Sequence, residues 1–303
     1  HHTANLRMIG TPFTYTDIFS KLEENPAYTV RKYPCLDSMN EPLWPARWDY
    51  DALMQRKAEI GSLKFTREYL CIPVSTGTAL FGQEHLENAK NKDLILKLGH
   101  RKDKGYKYYV GVDPAISTDG DYNVIVVLEV DEEKNKSIVH VDRAKNVQFR
   151  ENIDKLRLIG QVFEPEVILY ETNTFAKAFT QELRAVSDLN VRDFDTTRRK
   201  KQEIILNLQM NFENNKLHLP YGDNNSRKMT QALLEELSMF SITQAGKFEG
   251  VGAHDDLVMG LALANAASQT PTEAFMLLDD MGLFDEPETP LFEQNGAMVG
   301  LNF

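Results

Sequence analysis

The order of the strand-like and helix-like segments in the middle of this chain limits the folds that the chain can adopt. Three apolar segments are separated by turns rich in Asp, Gly, Lys and Asn, which is typical of an antiparallel meander, and they span residues 107–113, 122–130 and 137–143. Helical and strand patterns then alternate, with a helix at 150–162, a strand at 166–171 and a helix at 175–187. This order predicts an α/β fold in which a mixed sheet carries helices on its faces.

The remaining segments predict further helices and short strands. Further helices are expected at 198–214, 226–239 and 254–268. Between them, KLHLPYGDNN indicates a turn-bearing segment and SITQAGKFEGVG indicates a hairpin or a flexible loop. Ahead of the meander, the patterns favour strands at 6–10 and 28–37, a helix at 14–25, two helices within 49–70 divided at Gly61, and a short helix near 84–97.

Composition shifts along the chain predict four parts. Residues 1–80 form a smaller α/β unit, and turn-forming and charged residues mark 81–106 as a linker. Residues 107–269 form the main domain, and 270–303 form an acidic, mobile tail that could dock on a partner. The sequence starts with His1 rather than Met, so it is expected to be a piece of a longer or processed chain.

Charge and hydropathy exclude several classes of protein. The formal net charge of -11 over 303 residues argues against coating nucleic acid through bulk charge, so any such contact must use a local basic patch. No window approaches the roughly 18 uninterrupted apolar residues of a membrane span, which predicts a soluble protein inside a cell. Cys35 and Cys71 lack partners at metal-ligand spacing and are expected to be free thiols.

Carboxylates stand where three predicted elements begin or end. Asp113 ends the strand YKYYVGVD, Glu171 ends the strand VILYE, and Asp255 and Asp256 open the helix HDDLVMGLALANAA. Acidic side chains at the ends of neighbouring strands and of a nearby helix can converge on hard cations such as Mg²⁺ or Mn²⁺. Two such ions can promote hydrolysis of a phosphodiester.

Each acidic residue also has a simpler explanation. Asp113 could cap a turn, and either Asp255 or Asp256 could cap the last helix, with Asp256 favoured as the principal ligand. Asp121, after an Asp-Gly turn, could be a further ligand or a turn former. His254 could orient a carboxylate or a phosphate, or could be a polar residue at a helix start.

One basic run stands out in this acidic chain. Arg198, Arg199, Lys200 and Lys201 open the helix predicted at 198–214. Such side chains contact phosphates without reading bases, which suits cutting with little sequence preference. A solvated helix end is the alternative.

The motifs GVDPA, GDYN, LYET and GAHDDLVMGLALA, in this order between 107 and 268, resemble the nuclease domain of the large terminase subunits of tailed bacteriophages. The resemblance implies a ribonuclease H-like fold and cutting of double-stranded viral DNA with two divalent ions. Asp113 would be the first-strand acid, Glu171 the fourth-strand acid, Asp256 or Asp255 the helix acid, and Asp121 a further acid.

The resemblance extends in weaker form to the front of the chain. IGTPF and the segment 45–73 are similar to the end of the family's packaging ATPase domain, but no G-x-x-x-x-G-K-[ST] phosphate loop is present, so this chain alone is not expected to hydrolyse ATP. The family implies a portal and a small terminase subunit as partners, no membrane partner, and an oligomer only on the assembled motor. It also implies a location in the host cytoplasm and transiently on the procapsid.

Other interpretations stay open at this point. GVDPAISTDGDYN could be the first phosphate hairpin of an actin-like or sugar-kinase ATPase, although a second glycine-rich turn is missing. A resolvase-like or integrase-like nuclease on the same fold, or a non-catalytic module that assembles a motor through its tail, would also fit.

Overall fold

The computed structural model describes residues 6–12, 17–23, 25–37, 39–73, 79–96, 105–114, 122–172, 176–243, 247–250 and 255–269. Residues 1–268 form one compact unit, and a second unit begins at Gln269. The predicted tail at 270–303 lies outside the described residues, which end at 269. The domain boundaries stay predictions. No helix within the described ranges is long and apolar enough to cross a membrane.

Seven strands between residues 90 and 220 join one mixed sheet. The strands are β1 (Lys90–Asn91), β2 (Lys107–Asp113), β3 (Tyr122–Val130), β4 (Lys136–Lys145), β5 (Val167–Thr172), β6 (Val191–Asp195) and β7 (Leu217–Pro220). Their order is β1-β7-β4-β3-β2-β5-β6. The meander β2-β3-β4 is antiparallel, whereas β5 lies parallel to β2, β6 to β5 and β7 to β4. A two-stranded hairpin, β8 (Phe240–Ile242) and β9 (Phe248–Gly250), stands apart from this sheet.

Helices cover both faces of the sheet. The helices of the described residues are α1 (Ile18–Glu23), α2 (Tyr50–Ile60), α3 (Ser62–Glu68), α4 (Gln83–Asn88), α5 (Phe149–Phe163), α6 (Ala176–Val186), α7 (Arg198–Glu213), α8 (Asn224–Met239) and α9 (Asp256–Ala267), of which α5 to α9 pack on the sheet. The fold is thus the predicted mixed sheet with flanking helices. The meander and the helices predicted after it are confirmed, with ends that differ by a few residues.

Successive side chains of each strand point to opposite faces of the sheet, which divides the core into two layers. Val124, Val126 and Leu128 of β3 pack in a cluster with α7, α8 and α9, and we call this side of the sheet the α9 face. Ile125 and Val127, the residues between them, pack on the other side with α5 and α6. Because α9 is covered by the sheet on one side and by α7 and α8 on the other, it is apolar all round, and nearly all of its residues are buried.

The front of the chain differs from its prediction. Residues 6–10 and 28–37 were expected to be strands, but they contain no strand, and a single bridge joins Leu36 to Pro42. Neither segment has a sheet edge to pair with, and their side chains are mostly exposed. The helical stretch at 49–70 is divided at Gly61 as predicted, since Gly61 adopts a φ of 82° that favours glycine.

Part of the predicted linker, residues 81–106, is packed into the main core. Strand β1 is the edge strand next to β7, and Phe81 and Leu86 are buried in the cluster on the α9 face. The burial of these apolar side chains outweighs the turn-forming composition around them, so this stretch is packed structure, while the linker boundaries stay predictions. Strands β6 and β7 were also missed by the sequence patterns.

Candidate metal centre

Two of the predicted acids lie side by side on the α9 face. Val112 of β2 pairs with Tyr170 of the parallel strand β5, so the next residues, Asp113 and Glu171, are neighbours at the same end of the sheet. Their side chains point to the α9 face because Leu169, two residues before Glu171, packs there. The two carboxyl groups lie within hydrogen-bonding reach of each other.

Helix α9 approaches this end of the sheet unusually closely. A Cβ atom added to Gly111 of β2 would lie 2.2 Å from the Ala264 nitrogen and 2.2 Å from the Gly260 oxygen. A Cβ atom added to Gly260 would lie 2.7 Å from Val124 Cγ1. Glycine at 111 and 260 therefore lets the backbones of β2 and α9 come together. This contact fixes where the start of α9 lies relative to Asp113.

The start of α9 brings the second pair of acids to the same place. Asp255 directly precedes the helix, Asp256 is its first residue, and both are half-buried. The backbone N–H of Tyr122, the first residue of β3, donates to Asp256 Oδ2 at 3.2 Å. The structure thus brings together Asp113, Glu171, Asp255 and Asp256, as the sequence predicted, although their roles as ligands stay predictions.

The charges of these acids act on one another. Burial raises the pKa of Asp113 well above its ordinary value, and the charges of Glu171, Asp256 and Asp255 and the hydrogen bond with Glu171 raise it further. The buried hydroxyl of Tyr170 has a raised pKa as well, because of burial and the charge of Asp113. The centre is therefore a place where negative charge is in excess and where a cation would be stabilised.

A cation of the chain already reaches this centre. Lys201 Nζ lies 2.8 Å from Asp255 Oδ2, and Lys201 is half-buried. Lys201 was predicted from its basic run as a DNA contact, whereas in the structure its ammonium group contacts an acid of the centre. The other three members of the run, Arg198, Arg199 and Lys200, are exposed at the start of α7.

Glu236 of α8 is a residue of this region that the sequence analysis missed. Its Oε2 accepts hydrogen bonds from the Leu257 N–H at 2.8 Å and the Val258 N–H at 3.4 Å, and its Oε1 lies 2.7 Å from Arg143 Nη2. Burial raises its pKa to about 7, although Arg143 and the two N–H groups favour the charged form. Glu236 therefore caps α9, and Asp255 makes no capping bond with its side chain.

The capping by Glu236 decides whether Asp255 and Asp256 are present only to cap α9. The first-turn N–H groups of α9 are satisfied from α8, so capping is not needed to explain two adjacent acids at 255 and 256. A signal for Glu236 existed in the sequence. It lies three residues after Leu233 and one before Leu237, both of which are buried, so it is an acid on the apolar side of α8.

The donor set fits a hard divalent cation by its chemistry. Carboxylate oxygens are the ligands that Mg²⁺ and Mn²⁺ prefer, and Lys201 offsets their charge only in part. Among the described residues, no three acids, histidines or cysteines are already closed into one coordination set. Asp113 and Glu171 would bind an ion in their charged forms. Asp121 and His254 lie outside the described residues.

Solved structures of known proteins share this architecture. The large terminase nuclease from thermophilic phage G20c superposes with a TM-score of 0.51 and 20% identity, over 63% of this chain and 99% of that one. The same nuclease with bound magnesium gives a TM-score of 0.50, 21% identity and coverage of 62% and 96%. A large terminase from another thermophilic bacteriophage gives 0.58 and 12% identity, over 84% of this chain and 61% of that one.

Sequence comparison adds nothing to this likeness, since no protein-family model and no curated protein matches the chain. At identities of 12 to 21%, the structural likeness concerns the fold. The predicted resemblance is confirmed at that level: the chain has the ribonuclease H-like fold of the large terminase nucleases of thermophilic phages.

Proposed function

We propose that this chain is a divalent-metal-dependent endonuclease that cuts double-stranded viral DNA during phage DNA packaging. The observation that carries the proposal is the convergence of Asp113 and Glu171 with Asp255 and Asp256, where burial and the neighbouring negative charges raise the pKa of Asp113. The same fold in a terminase nuclease that was solved with bound magnesium supports the choice of reaction. The family resemblance of the motifs supports the substrate.

The four acids would hold one or two Mg²⁺ or Mn²⁺ ions. When bound, the ions would supply Lewis-acid polarisation of the phosphodiester and of the attacking water. Asp256 is held in place by the N–H of Tyr122, so its carboxylate keeps a fixed position relative to β3. Asp121 is a candidate for a further ligand.

Lys201 would change partner when substrate enters. Its ammonium group neutralises Asp255 in the structure, and a bound cation would take over that role. The freed ammonium group is then close enough to the centre to contact a phosphate oxygen. Arg198, Arg199 and Lys200 would hold the backbone of the same DNA further out, and His254 would orient a carboxylate or a phosphate.

The cellular setting of the proposed nuclease follows from the family resemblance. We propose that the portal and the small terminase subunit are its partners, that it oligomerises only on the assembled motor, and that it acts in the host cytoplasm and transiently on the procapsid. The large terminase that superposes with a TM-score of 0.58 is matched over 61% of its own length, so this comparison concerns only part of that protein.

A plasmid cleavage assay tests the proposal. Supercoiled plasmid is incubated with the intact chain, with Asp113→Asn and with Asp256→Asn, in Mg²⁺, in Mn²⁺ and in EDTA. Asp154→Asn on α5 is the matched control, because Asp154 is exposed and lies on the opposite face of the sheet. Metal-dependent nicking that falls at least about 100-fold in the two site variants and not in the control would support the nuclease. Equal cutting by all four proteins would refute the site.

A further inference from the structure

A second cationic cluster borders the acids on the side away from Lys201. Arg143 and Lys145, near the end of β4, both lie over the ring of Tyr122, at 3.9 Å and 4.4 Å from its centroid. The backbone N–H of the same Tyr122 donates to Asp256. We call Tyr122, Arg143 and Lys145 the β4 cluster. It is not part of the basic run that the sequence singled out.

The strand register places this cluster in line with the acids. Asp113 pairs with Val124 of β3, and Val124 pairs with Arg143 of β4. On the other side, Glu171 follows Asp113 in the next strand and pairs with Phe194 of β6. One row across the α9 face therefore has the acids in its middle strands, Arg143 at one end and Phe194 at the other. Lys145 pairs with Tyr122 and lies two residues after Arg143, at the end of β4.

The other end of the row also carries a lysine over an aromatic ring. Lys200 Nζ lies 5.6 Å from the centroid of Phe194. Neighbouring strands are about 4.8 Å apart, so the two ends of the row are roughly 19 Å apart. Arg143 is two strands, roughly 10 Å, from Asp113, whereas Phe194 is one strand, roughly 5 Å, from Glu171 and two strands, roughly 10 Å, from Asp113. Along the axis of duplex DNA each strand has a phosphate about every 3.4 Å, so 10 Å along the axis corresponds to about three phosphates. The acids thus lie between two cationic positions at the spacing of a nucleic-acid backbone.

The two cations of the β4 cluster differ in how freely they can bind a ligand. Arg143 is half-buried and is held by Glu236 at 2.7 Å, so its charge is partly used in capping α9. Lys145 is exposed, and it forms no ion pair with any residue that the structure describes. Contact with the Tyr122 ring stabilises its ammonium group and limits its motion. Lys145 is therefore the member of the cluster that is available to an anion.

We propose that Lys145, held against Tyr122, binds a backbone phosphate of double-stranded DNA about three nucleotides from the position that is cut, opposite the contact made by Lys200. This inference rests on the proposed function, since it names the second side on which the substrate of that centre is held. Contacts on both sides of the acids keep the target phosphodiester over them, and they read no bases, which agrees with cutting of little sequence preference.

The test is the salt dependence of binding by the intact chain. Fluorescence anisotropy of a labelled short duplex is measured in EDTA, where no cutting occurs, between about 50 and 200 mM salt. Loss of one phosphate contact should lower the magnitude of the slope of log Kd against log salt by about 0.9. For Lys145→Ala we expect this change and a Kd that is roughly three to ten times higher at low salt.

Matched variants make the test specific. Lys107→Ala removes the same charge at the opposite end of β2, where the side chain is also exposed, and should leave the slope and Kd unchanged. Lys145→Arg should restore the slope. Tyr122→Leu removes the ring but keeps the N–H that holds Asp256, and it should weaken binding less than Lys145→Ala.

The outcomes separate the inference from the function on which it rests. If Lys145→Ala changes the slope no more than Lys107→Ala does, while the intact chain binds the duplex and cuts plasmid with metal, the inference is wrong and the nuclease stands. If the intact chain neither binds the duplex nor cuts, both are wrong. A slope change in Lys145→Ala that Lys145→Arg reverses supports the inference.

Discussion

Substitution of Gly111 by Ala should separate α9 from the sheet and thereby disable the metal centre without changing any acid. The added Cβ would meet three backbone atoms of α9, namely the nitrogen and Cα of Ala264 at 2.2 Å and 2.9 Å and the oxygen of Gly260 at 2.2 Å. A change of rotamer cannot relieve a clash with backbone. The helix must therefore move, or β2 must bend.

The size of the movement follows from these distances. Ordinary contacts of a Cβ atom begin near 3.4 Å, so α9 must retreat by about 1 Å. Overpacking of this kind costs about 1 to 3 kcal/mol of unfolding free energy, which lowers the Tm by several degrees in a unit of this size. The same shift carries Asp255 and Asp256 away from Asp113 and Glu171. A misplacement of about 1 Å can cost about 100-fold in rate.

Two measurements check this prediction together. Thermal unfolding followed by circular dichroism should show a lower Tm with unchanged helix and strand content at low temperature, and plasmid cleavage in Mg²⁺ or Mn²⁺ should fall about 100-fold. Gly82→Ala is the matched control, because its added Cβ would meet only the side chain of His85, at 3.2 Å, and its φ of -67° suits alanine. The control should keep its cleavage rate and lose little stability.

The reasoning fails if Gly111→Ala has the Tm and cleavage rate of the unchanged protein. In that case the close approach of β2 and α9 does not set the position of the acids. A lower Tm with an unchanged cleavage rate would also contradict it, because the positional argument predicts that the two effects occur together.

Three further results are expected from the polar contacts. Glu236 has a raised pKa of about 7, so the folded state binds its proton more tightly, and the stability from this group is full below pH 4.5 and is lost as pH rises to 7. Between pH 4.5 and 7, the unfolding free energy of the metal-free protein, measured in urea, should therefore fall by about 3 kcal/mol more than that of Glu236→Gln. An equal dependence on pH in the two proteins would contradict the assignment. Glu213→Ala removes both bonds to Ser62, from its N–H and its hydroxyl, and should lower the unfolding free energy by about 1 to 3 kcal/mol in urea titrations while leaving plasmid cleavage unchanged. Lys201→Met frees Asp255 and should tighten Mn²⁺ binding in calorimetry without DNA, whereas weaker binding would show that Lys201 does not compete with the ion.

The sequence was sufficient to predict the middle of the site. Asp113 and Glu171 are charged residues at the ends of apolar strands, where burial without a partner is costly, so they indicate function in a single sequence. The apolar run after Asp256 predicts a buried helix that starts at the acids. Neighbouring parallel strands have their carboxyl ends at one edge, which is why local patterns alone placed these residues together.

The supporting residues could not be predicted in the same way. Arg143 lies on a strand of ordinary polar and apolar alternation, and its contacts with Glu236 and Tyr122 join three elements that are distant in sequence. Strand β7 was taken for a turn, since LHLP is short and ends in proline, and only its parallel pairing with β4 and β1 defines it. Register and pairing are long-range properties that local patterns do not carry.

The proposed function requires an acidic chain to hold a polyanion, and the residues that would do so were only partly visible in the sequence. The basic run at 198–201 suggested one contact surface, but Lys201 in the structure is paired with Asp255. Lys145 is distant from that run in sequence, and the register alone places it on the other side of the acids. A net charge of -11 describes the sum over the surface, whereas binding depends on charge within a Debye length of about 8 to 10 Å. In the proposed function, two small cationic clusters, each within about 10 Å of Asp113, would hold DNA locally while the rest of the surface repels it, which would confine the substrate to the place where the acids lie.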